Sequence, residues 1–238
     1  MGLFRRGKQA DAVPDQDAAL VDEGPAGAGP GADATPARQR GPWDVSEVPD
    51  RGRRVDLGPL WLPGREGMEL RMEVEKTSRL VTAAAVQLHG SALQLQVFAA
   101  PRTEGIWDEI RAEIAESVTK QGGSAEDIVG PFGRELLARV PVRTSEGRTG
   151  HRPARFIGVD GPRWFLRGVL TGRAAAEEAA AEELEEVFAD VVVVRGTEAR
   201  APRDLLPLTL PGRPRTELPG TEPAPDVLTR GPEITETR

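Results

Sequence analysis

The chain has 238 residues, a formal net charge of −7 and no cysteine. The lack of cysteine excludes disulfides, thiolate metal sites and cysteine nucleophiles. The acidic balance argues against bulk, non-specific binding of nucleic acid. No apolar run reaches the length of a membrane-spanning helix, and no secretory signal follows the basic first residues. We therefore expect a cytoplasmic protein that does not insert into membranes.

Composition divides the chain into three parts. Residues 1–42 and 212–238 are rich in glycine, proline, alanine and acids, and contain few large apolar side chains. Such segments bury too little apolar surface to offset the entropy of ordering, about 1–2 kcal/mol per residue for the backbone. We therefore expect two disordered arms, residues 1–42 and 212–238, around a single globular domain at residues 43–211.

The first half of this domain shows strand patterns followed by a helical pattern. Residues 68–75 alternate strictly between apolar and charged side chains, which is typical of a half-buried strand. The uniformly apolar residues 80–88 predict a strand covered on both faces. The predicted strands are residues 55–62, 68–75, 80–88 and 93–98. A helix follows, with Thr103 as its predicted N-cap and Gly122-Gly123 as its end.

The second half repeats this plan. Residues 134–143 predict a strand, and residues 152–159 and 163–170 predict a hairpin across Asp160-Gly161-Pro162. A helix at residues 174–189 and a short buried strand at residues 191–194 complete it. The predicted class is α+β, a largely antiparallel sheet with two principal helices. Leu80–Gly122 and Arg152–Ala189 form a candidate doubled strand–strand–helix unit, whose alternative is the common architecture of α+β domains.

Five segments of the sequence resemble an actinobacterial family of uncharacterised proteins, domain of unknown function 3710. They are Gly41–Val48, Val55–Gly58, Asp160–Gly168, Val192–Gly196 and Pro202–Asp204. The resemblance runs from about residue 41 to about residue 211 and is most specific at Asp160–Gly168. It implies an actinobacterial, cytosolic setting and a single domain. It supplies no activity, substrate or site residue.

Catalytic and metal-binding patterns are missing from the sequence. His89 and His151 are the two histidines, and neither lies in a nucleophile signature. The glutamates of residues 177–186 lack histidine and calcium-loop spacing, which is typical of a solvated helix face. No phosphate-binding loop of the G-x-x-x-x-G-K-[ST] type occurs. We therefore expect no cofactor, no metal and no catalytic residue.

Charge segregation is the remaining functional signal. Residues 134–173 contain nine arginines against three acids, whereas residues 174–190 contain seven acids and no base. If consecutive strands pair as antiparallel neighbours, six basic residues lie close together as a candidate anion-binding site. They are Arg143, Arg148, His151, Arg152, Arg163 and Arg167. In the alternative interpretation, the acidic helix at residues 177–186 crosses this face and neutralises it.

Three functions are compatible with these patterns. The first is a non-enzymatic protein–protein binding or adaptor module with an unidentified protein partner. The second is a binder of an anionic ligand, nucleic acid or another polyanion through the Arg-rich hairpin face. The third is an enzyme with an unrecognised site. A deep pocket, salt-sensitive affinity for anions, or a stoichiometric protein partner would separate them.

Overall fold

The computed structural model describes residues 40–102, 105–143 and 149–212. The strands are β1 (Trp43–Asp44), β2 (Val55–Asp56), β3 (Leu60–Leu62), β4 (Glu69–Val74), β5 (Val81–Leu88), β6 (Ser91–Ala99), β7 (Ser124–Gly130), β8 (Gly133–Arg143), β9 (Thr149–Gly161), β10 (Trp164–Thr171) and β11 (Val192–Val193). The helices are α1 (Trp107–Lys120) and α2 (Glu178–Ala189). Neither helix of the described ranges is long and apolar enough to cross a membrane.

The main element is a seven-stranded sheet of order β4-β5-β6-β10-β9-β8-β7, in which every pair of neighbours is antiparallel. The predicted α+β class with a largely antiparallel sheet is confirmed. The sequence did not predict β7, because its segment Ser124–Gly130 lies at the sheet edge and carries mainly polar and small residues. Strands β6 and β10, which are distant in sequence, pair at the centre.

A small second sheet, of order β1-β11-β3-β2, lies over one face of the main sheet together with α2. Leu60 and Leu62 of the small sheet belong to the same buried cluster as Leu93 and Leu95 of β6 and Phe188 of α2. We call this side of the main sheet the core face. The other side, which carries α1, is the α1 face.

The two helices therefore lie on opposite faces of the main sheet. A side chain at Gly168 on β10 would meet the Phe188 ring of α2 at 2.8 Å, and one at Gly158 on β9 would meet the Trp107 ring of α1 at 2.2 Å. Glycine at both positions lets each helix approach the strands closely. The strand–strand–helix order occurs twice along the chain, but its two copies place their helices on different sides.

The start of α1 is capped from a distant strand. The Asp160 carboxylate at the end of β9 accepts hydrogen bonds from the backbone N–H groups of Ile106 (2.8 Å) and Trp107 (3.2 Å). This carboxylate also complements the positive end of the helix dipole. The predicted N-cap, Thr103, lies outside the described residues.

Trp164 is the central core residue, as the alternation of the predicted hairpin indicates. It is 0% exposed, and its indole N–H donates a 2.7 Å hydrogen bond to Oδ2 of Asp44. Oδ1 of Asp44 accepts from the backbone N–H of Ser46 at 2.9 Å. Trp43, beside Asp44, pairs with Val192 in the small sheet. Two of the segments that carry the family resemblance, Gly41–Val48 and Asp160–Gly168, therefore meet at this buried indole, and the first of them pairs with a third, Val192–Gly196.

A buried ion triad ties α2 to the core face. Nε of Arg155 on β9 donates to Oε2 of Glu135 on β8 at 2.6 Å, and its Nη2 donates to Glu185 of α2. The backbone N–H of Phe132 also donates to Glu135, at 3.3 Å. Two carboxylates share one guanidinium, and Glu135 is 0% exposed. Burial raises the pKa of Glu135, and the neighbouring Glu185 raises it further against the opposing effect of Arg155.

The predicted disordered arms lie outside the described residues except at their inner ends. Gly41 and Pro42, which we assigned to the first arm, are buried, so this end packs against the domain. Residues 144–148, between β8 and β9, also lie outside the described ranges. Strand β5 departs from the expectation of two covered faces, because its Ala85 and Gln87 on the α1 face are only half-buried.

Replacement of Trp164 by alanine should lower the free energy of unfolding by about 3–5 kcal/mol, because it removes a fully buried aromatic ring. It also leaves the Asp44 carboxylate without its indole donor. Arg139 is an exposed arginine of β8, and Arg139→Gln should change the free energy by less than about 0.5 kcal/mol. Urea unfolding of both variants measures the difference. Equal losses would show that the packing around β10 is misassigned.

The raised pKa of Glu135 predicts a pH dependence of stability. Since the folded-state pKa exceeds the ordinary value of 4.5, the stabilisation from this group is full below that value and is lost as the pH rises through the folded-state pKa. Glu135→Gln removes the titration and leaves Arg155 paired with Glu185. Urea unfolding from about pH 4 to about pH 8 should show wild type losing stability relative to Glu135→Gln. A relative gain of wild type with pH would contradict the assignment.

Candidate functional site

Helix α1 covers only part of its face of the main sheet. Its Trp107 ring stacks on Phe165 of β10 at 5.7 Å between ring centroids, and Phe98 of β6 lies 5.9 Å from Phe165. Beyond these aromatic rings no helix of the described residues packs on this face of the strands. The uncovered part forms a groove of about 1030 Å³, which we call the open-face groove.

The lining of the open-face groove combines apolar and polar side chains. Its residues come from the start of β4, the β5–β6 turn, and strands β6, β8, β9 and β10. They include Glu69, Gln87, His89, Ala92, Gln94, Val140, Val142, Arg152, Ala154, Phe156, Arg167, Val169, Thr171 and Arg173. A concave surface that combines apolar side chains with placed polar groups is typical of a binding site.

Arg167 on β10 is the most constrained cation of the groove. Its Nη2 donates to Oε1 of Gln96, and its guanidinium carbon lies 5.3 Å from the centre of the Phe98 ring. Its Nε is buried and has no hydrogen-bond acceptor among the described residues. Burial lowers the pKa of the Arg167 guanidinium. Within the described ranges no carboxylate lies within 4.0 Å of it.

The other arginines of the groove differ from Arg167. Arg173 pairs with Glu177, with its Nη2 2.7 Å from Oε2, so its charge is largely compensated. Arg152 on β9 is exposed and lies opposite Val140 of β8. His89 at the β5–β6 turn lies 3.3 Å from Glu183 of α2. Of the three arginines of the groove, Arg167 is constrained, Arg152 is solvated and Arg173 is paired with a carboxylate.

The structure does not bring the six predicted anion-binding residues together. Arg152 and Arg167 both line the groove. Arg143 is exposed at the end of β8, where it pairs with Thr149. His151 is exposed and hydrogen-bonds the carbonyl of Gly122 at 3.3 Å. Arg148 lies outside the described residues, so its predicted place in the cluster stays a prediction.

Arg163 is at the opposite end of the hairpin. It lies in the β9–β10 turn, whereas Arg152 lies nine residues before Gly161 on β9. At about 3.3 Å per residue this separation is about 30 Å. The prediction of one cluster is therefore wrong for Arg163, because it considered which strands are neighbours and not how far along each strand the residues lie.

The acidic helix α2 does not cross the open-face groove. It packs on the core face, where Glu185 pairs with Arg155 and Glu186 lies 3.7 Å from Arg65. None of the described candidate arginines pairs with this helix, whose Glu185 pairs instead with Arg155, a residue outside the candidate set. Arg152 and Arg167 point to the other side of the sheet.

Sequence reasoning missed Gln96 and Phe98, the side chains that position Arg167. The alternation of residues along β6 places both side chains on the same face as Gln94, and this pattern can be read from the sequence. The pairing of Arg167 with Gln96 across β6 and β10 was not visible, since it joins strands separated by about 70 residues. The described residues contain no group of three or more His, Asp or Glu side chains that could hold a metal ion.

Comparisons with known proteins identify the family of the chain. No curated protein matches the sequence. Among solved structures, the fold is similar to the solution structure of cyanobacterial PsbP (CyanoP) from Synechocystis sp. PCC 6803, at 11% identity and a TM-score of 0.36, over 57% of this chain and 87% of that chain. A likeness this weak carries no argument about function. The model of one family matches residues 41–217, so the chain belongs to the family described as "Protein of unknown function (DUF3710)".

Proposed function

We propose that the chain is a non-enzymatic binding module that holds an extended segment of a partner protein in the open-face groove. The observation that carries this proposal is the uncovered part of the α1 face, with Arg167 constrained in its floor. The partner segment supplies apolar side chains to the groove and one carboxylate to Arg167.

The dimensions of the groove favour an extended segment over a compact ligand. Its lining reaches from Glu69 on β4 to Val142 on β8, which spans five inter-strand spacings in the sheet order. At about 4.8 Å per spacing this is about 24 Å. An extended peptide rises about 3.3 Å per residue, so about seven residues fill this length.

The chemistry of the lining supports apolar contacts at the end of the groove formed by β8, β9 and β10. Val140, Val142 and Val169 are half-buried, and Ala154 is 7% exposed. Covering apolar surface of this kind stabilises a complex by about 25 cal/mol per Å² before the costs of association. These side chains therefore favour a partner segment with apolar residues.

Arg167 adds a preference for a carboxylate. A partly buried cation is costly unless it is paired, and no described carboxylate pairs with Arg167. Its guanidinium is already oriented by Gln96 and Phe98, so little rotamer entropy is lost on binding. A carboxylate from a partner segment offsets the cost of burial and fixes the register of the segment in the groove.

A protein segment is favoured over nucleic acid by the charge of the chain. The net charge is −7 and Glu69 lies in the lining. Arg152 and Arg167 are the two arginines of the lining without a carboxylate partner among the described residues, since Arg173 pairs with Glu177, whereas a nucleic-acid surface presents a basic stripe. Of the aromatic rings on this face, Phe98 and Phe165 pack under α1, and Phe156, which lines the groove, packs against the same cluster. One aromatic ring in the groove does not form the series of stacking surfaces that single-stranded nucleic acid uses.

Selection of twelve-residue peptides by display against the full chain tests the proposal. The enriched peptides should share an Asp or Glu flanked by apolar residues. Arg167→Gln should weaken their binding at least about tenfold, because it removes a hydrogen bond to a charged group. Val142→Asp should also weaken it, because it places a charge in the apolar part of the groove. Isothermal titration calorimetry of the synthetic peptides measures both effects.

Arg139→Gln is the matched control, since Arg139 is exposed on β8 and does not line the groove. Thermal unfolding of each variant verifies that it folds. Peptides that bind Arg167→Gln as tightly as wild type would exclude the carboxylate contact. If no peptide is enriched while single-stranded DNA binds at low salt and loses affinity in Arg167→Gln, the function is nucleic-acid binding instead.

A further inference from the structure

A second group of arginines lies at the far end of the β9–β10 hairpin, outside the open-face groove. It consists of Arg163, which lies in the turn, with Arg195 and Arg200 from the segment after β11. Arg163 precedes Arg167 by four residues, about 13 Å along the strand. We call this group the arginine triplet, and it stands independently of the proposed function.

Backbone contacts fix the positions of two of these guanidinium groups. Arg195 donates from Nε to the carbonyl of Arg163 at 3.0 Å and from Nη1 to the carbonyl of Glu198 at 3.1 Å. Arg163 donates from Nη2 to the carbonyl of Gly196 at 2.8 Å. The β9–β10 turn thus holds the Arg195 side chain, and the segment after β11 holds the Arg163 side chain. Neither side chain can swing into solvent without breaking these bonds.

The positive charge of the arginine triplet is poorly compensated. Among the described residues the carboxylate in contact with it is that of Glu198, which lies 3.1 Å from Nη2 of Arg200. Three arginines and one glutamate leave a net charge of +2 on a small area. Burial lowers the pKa of Arg195, and the charges of Arg163 and Arg200 lower it further. These like charges therefore repel one another at close range.

We propose that the arginine triplet binds a doubly charged oxyanion, the phosphate monoester group of a ligand. Guanidinium groups donate paired N–H groups in a fork that matches phosphate oxygens. A dianion compensates the net charge of +2, and a carboxylate compensates half of it. The donors are held in place before the anion arrives, so binding does not have to order them.

The test is a titration of the full chain with inorganic phosphate at low ionic strength, followed by isothermal titration calorimetry and ³¹P NMR. Saturable binding at one site is expected, with sulfate as a competitor and acetate as a much weaker one. Arg195→Gln and Arg200→Gln should each weaken phosphate binding at least about tenfold. Arg195→Lys, which keeps the charge and loses the fork, should fall between wild type and Arg195→Gln.

Two controls separate this site from the groove and from general surface charge. Arg167→Gln and Arg139→Gln should bind phosphate as wild type does. Parallel titrations with O-phosphoserine and adenosine monophosphate identify the class of ligand that carries the phosphate group. The compound that binds more tightly indicates whether the rest of the ligand is a phosphorylated amino acid or a nucleotide. Absence of saturable binding, equal competition by acetate, or wild-type affinity in Arg200→Gln would overturn the proposal. Arg200→Gln decides the outcome if Arg195→Gln fails to fold.

Discussion

The hydrogen bond between the Trp164 indole and the Asp44 carboxylate joins the centre of the main sheet to the first described segment of the chain. Both groups are buried, and loss of either partner leaves the other unsatisfied at a cost of about 1–3 kcal/mol. Trp164 begins the central strand β10, and Asp44 ends β1, which pairs with β11. The small sheet, and with it the closure of the core face, depends on this contact.

The small sheet and α2 cover the core face of the main sheet, and a single helix, α1, packs on the other face. Helix α1 has 14 residues and is therefore about 21 Å long. Seven strands span about 29 Å, and one helix cannot cover the width and the length of such a sheet. The open-face groove is the geometrical result. Its position beside Arg167 follows from the stacking of Trp107 on Phe165, which fixes where α1 lies.

Local patterns in the sequence predicted most of the fold. Alternation placed Met68, Leu70 and Met72 toward the core, and these side chains do pack against it. The alternation of residues 163–170 also places Trp164 on the buried side of its strand, because the period of two identifies which side is buried. Strand β7 was missed because an edge strand needs little apolar surface. The capping of α1 by Asp160 was missed because the partner residues are more than 50 positions apart.

The candidate site was harder to predict for the same reason. The arginines were visible, but their grouping depends on which strands are neighbours and how far along each strand a residue lies. Arg152 and Arg167 share the groove, whereas Arg163 belongs with Arg195 and Arg200 at the other end of the hairpin. The sequence-distant pairing of β6 with β10 positions Gln96 against Arg167. No local periodicity encodes that pairing.

The distant cap of α1 has a consequence for the order in which the molecule folds. The helix has no side-chain cap of its own at Ile106, and a helix of this length is marginal in isolation. The Asp160 carboxylate reaches it only after the β9–β10 hairpin has brought the turn back beside β6. We therefore expect α1 to be formed late, after a central sheet whose non-local pairing sets a slow folding rate. The aromatic rings of Phe98 and Phe165 are exposed to solvent until α1 docks. We therefore expect the protein to be most prone to aggregation in this interval.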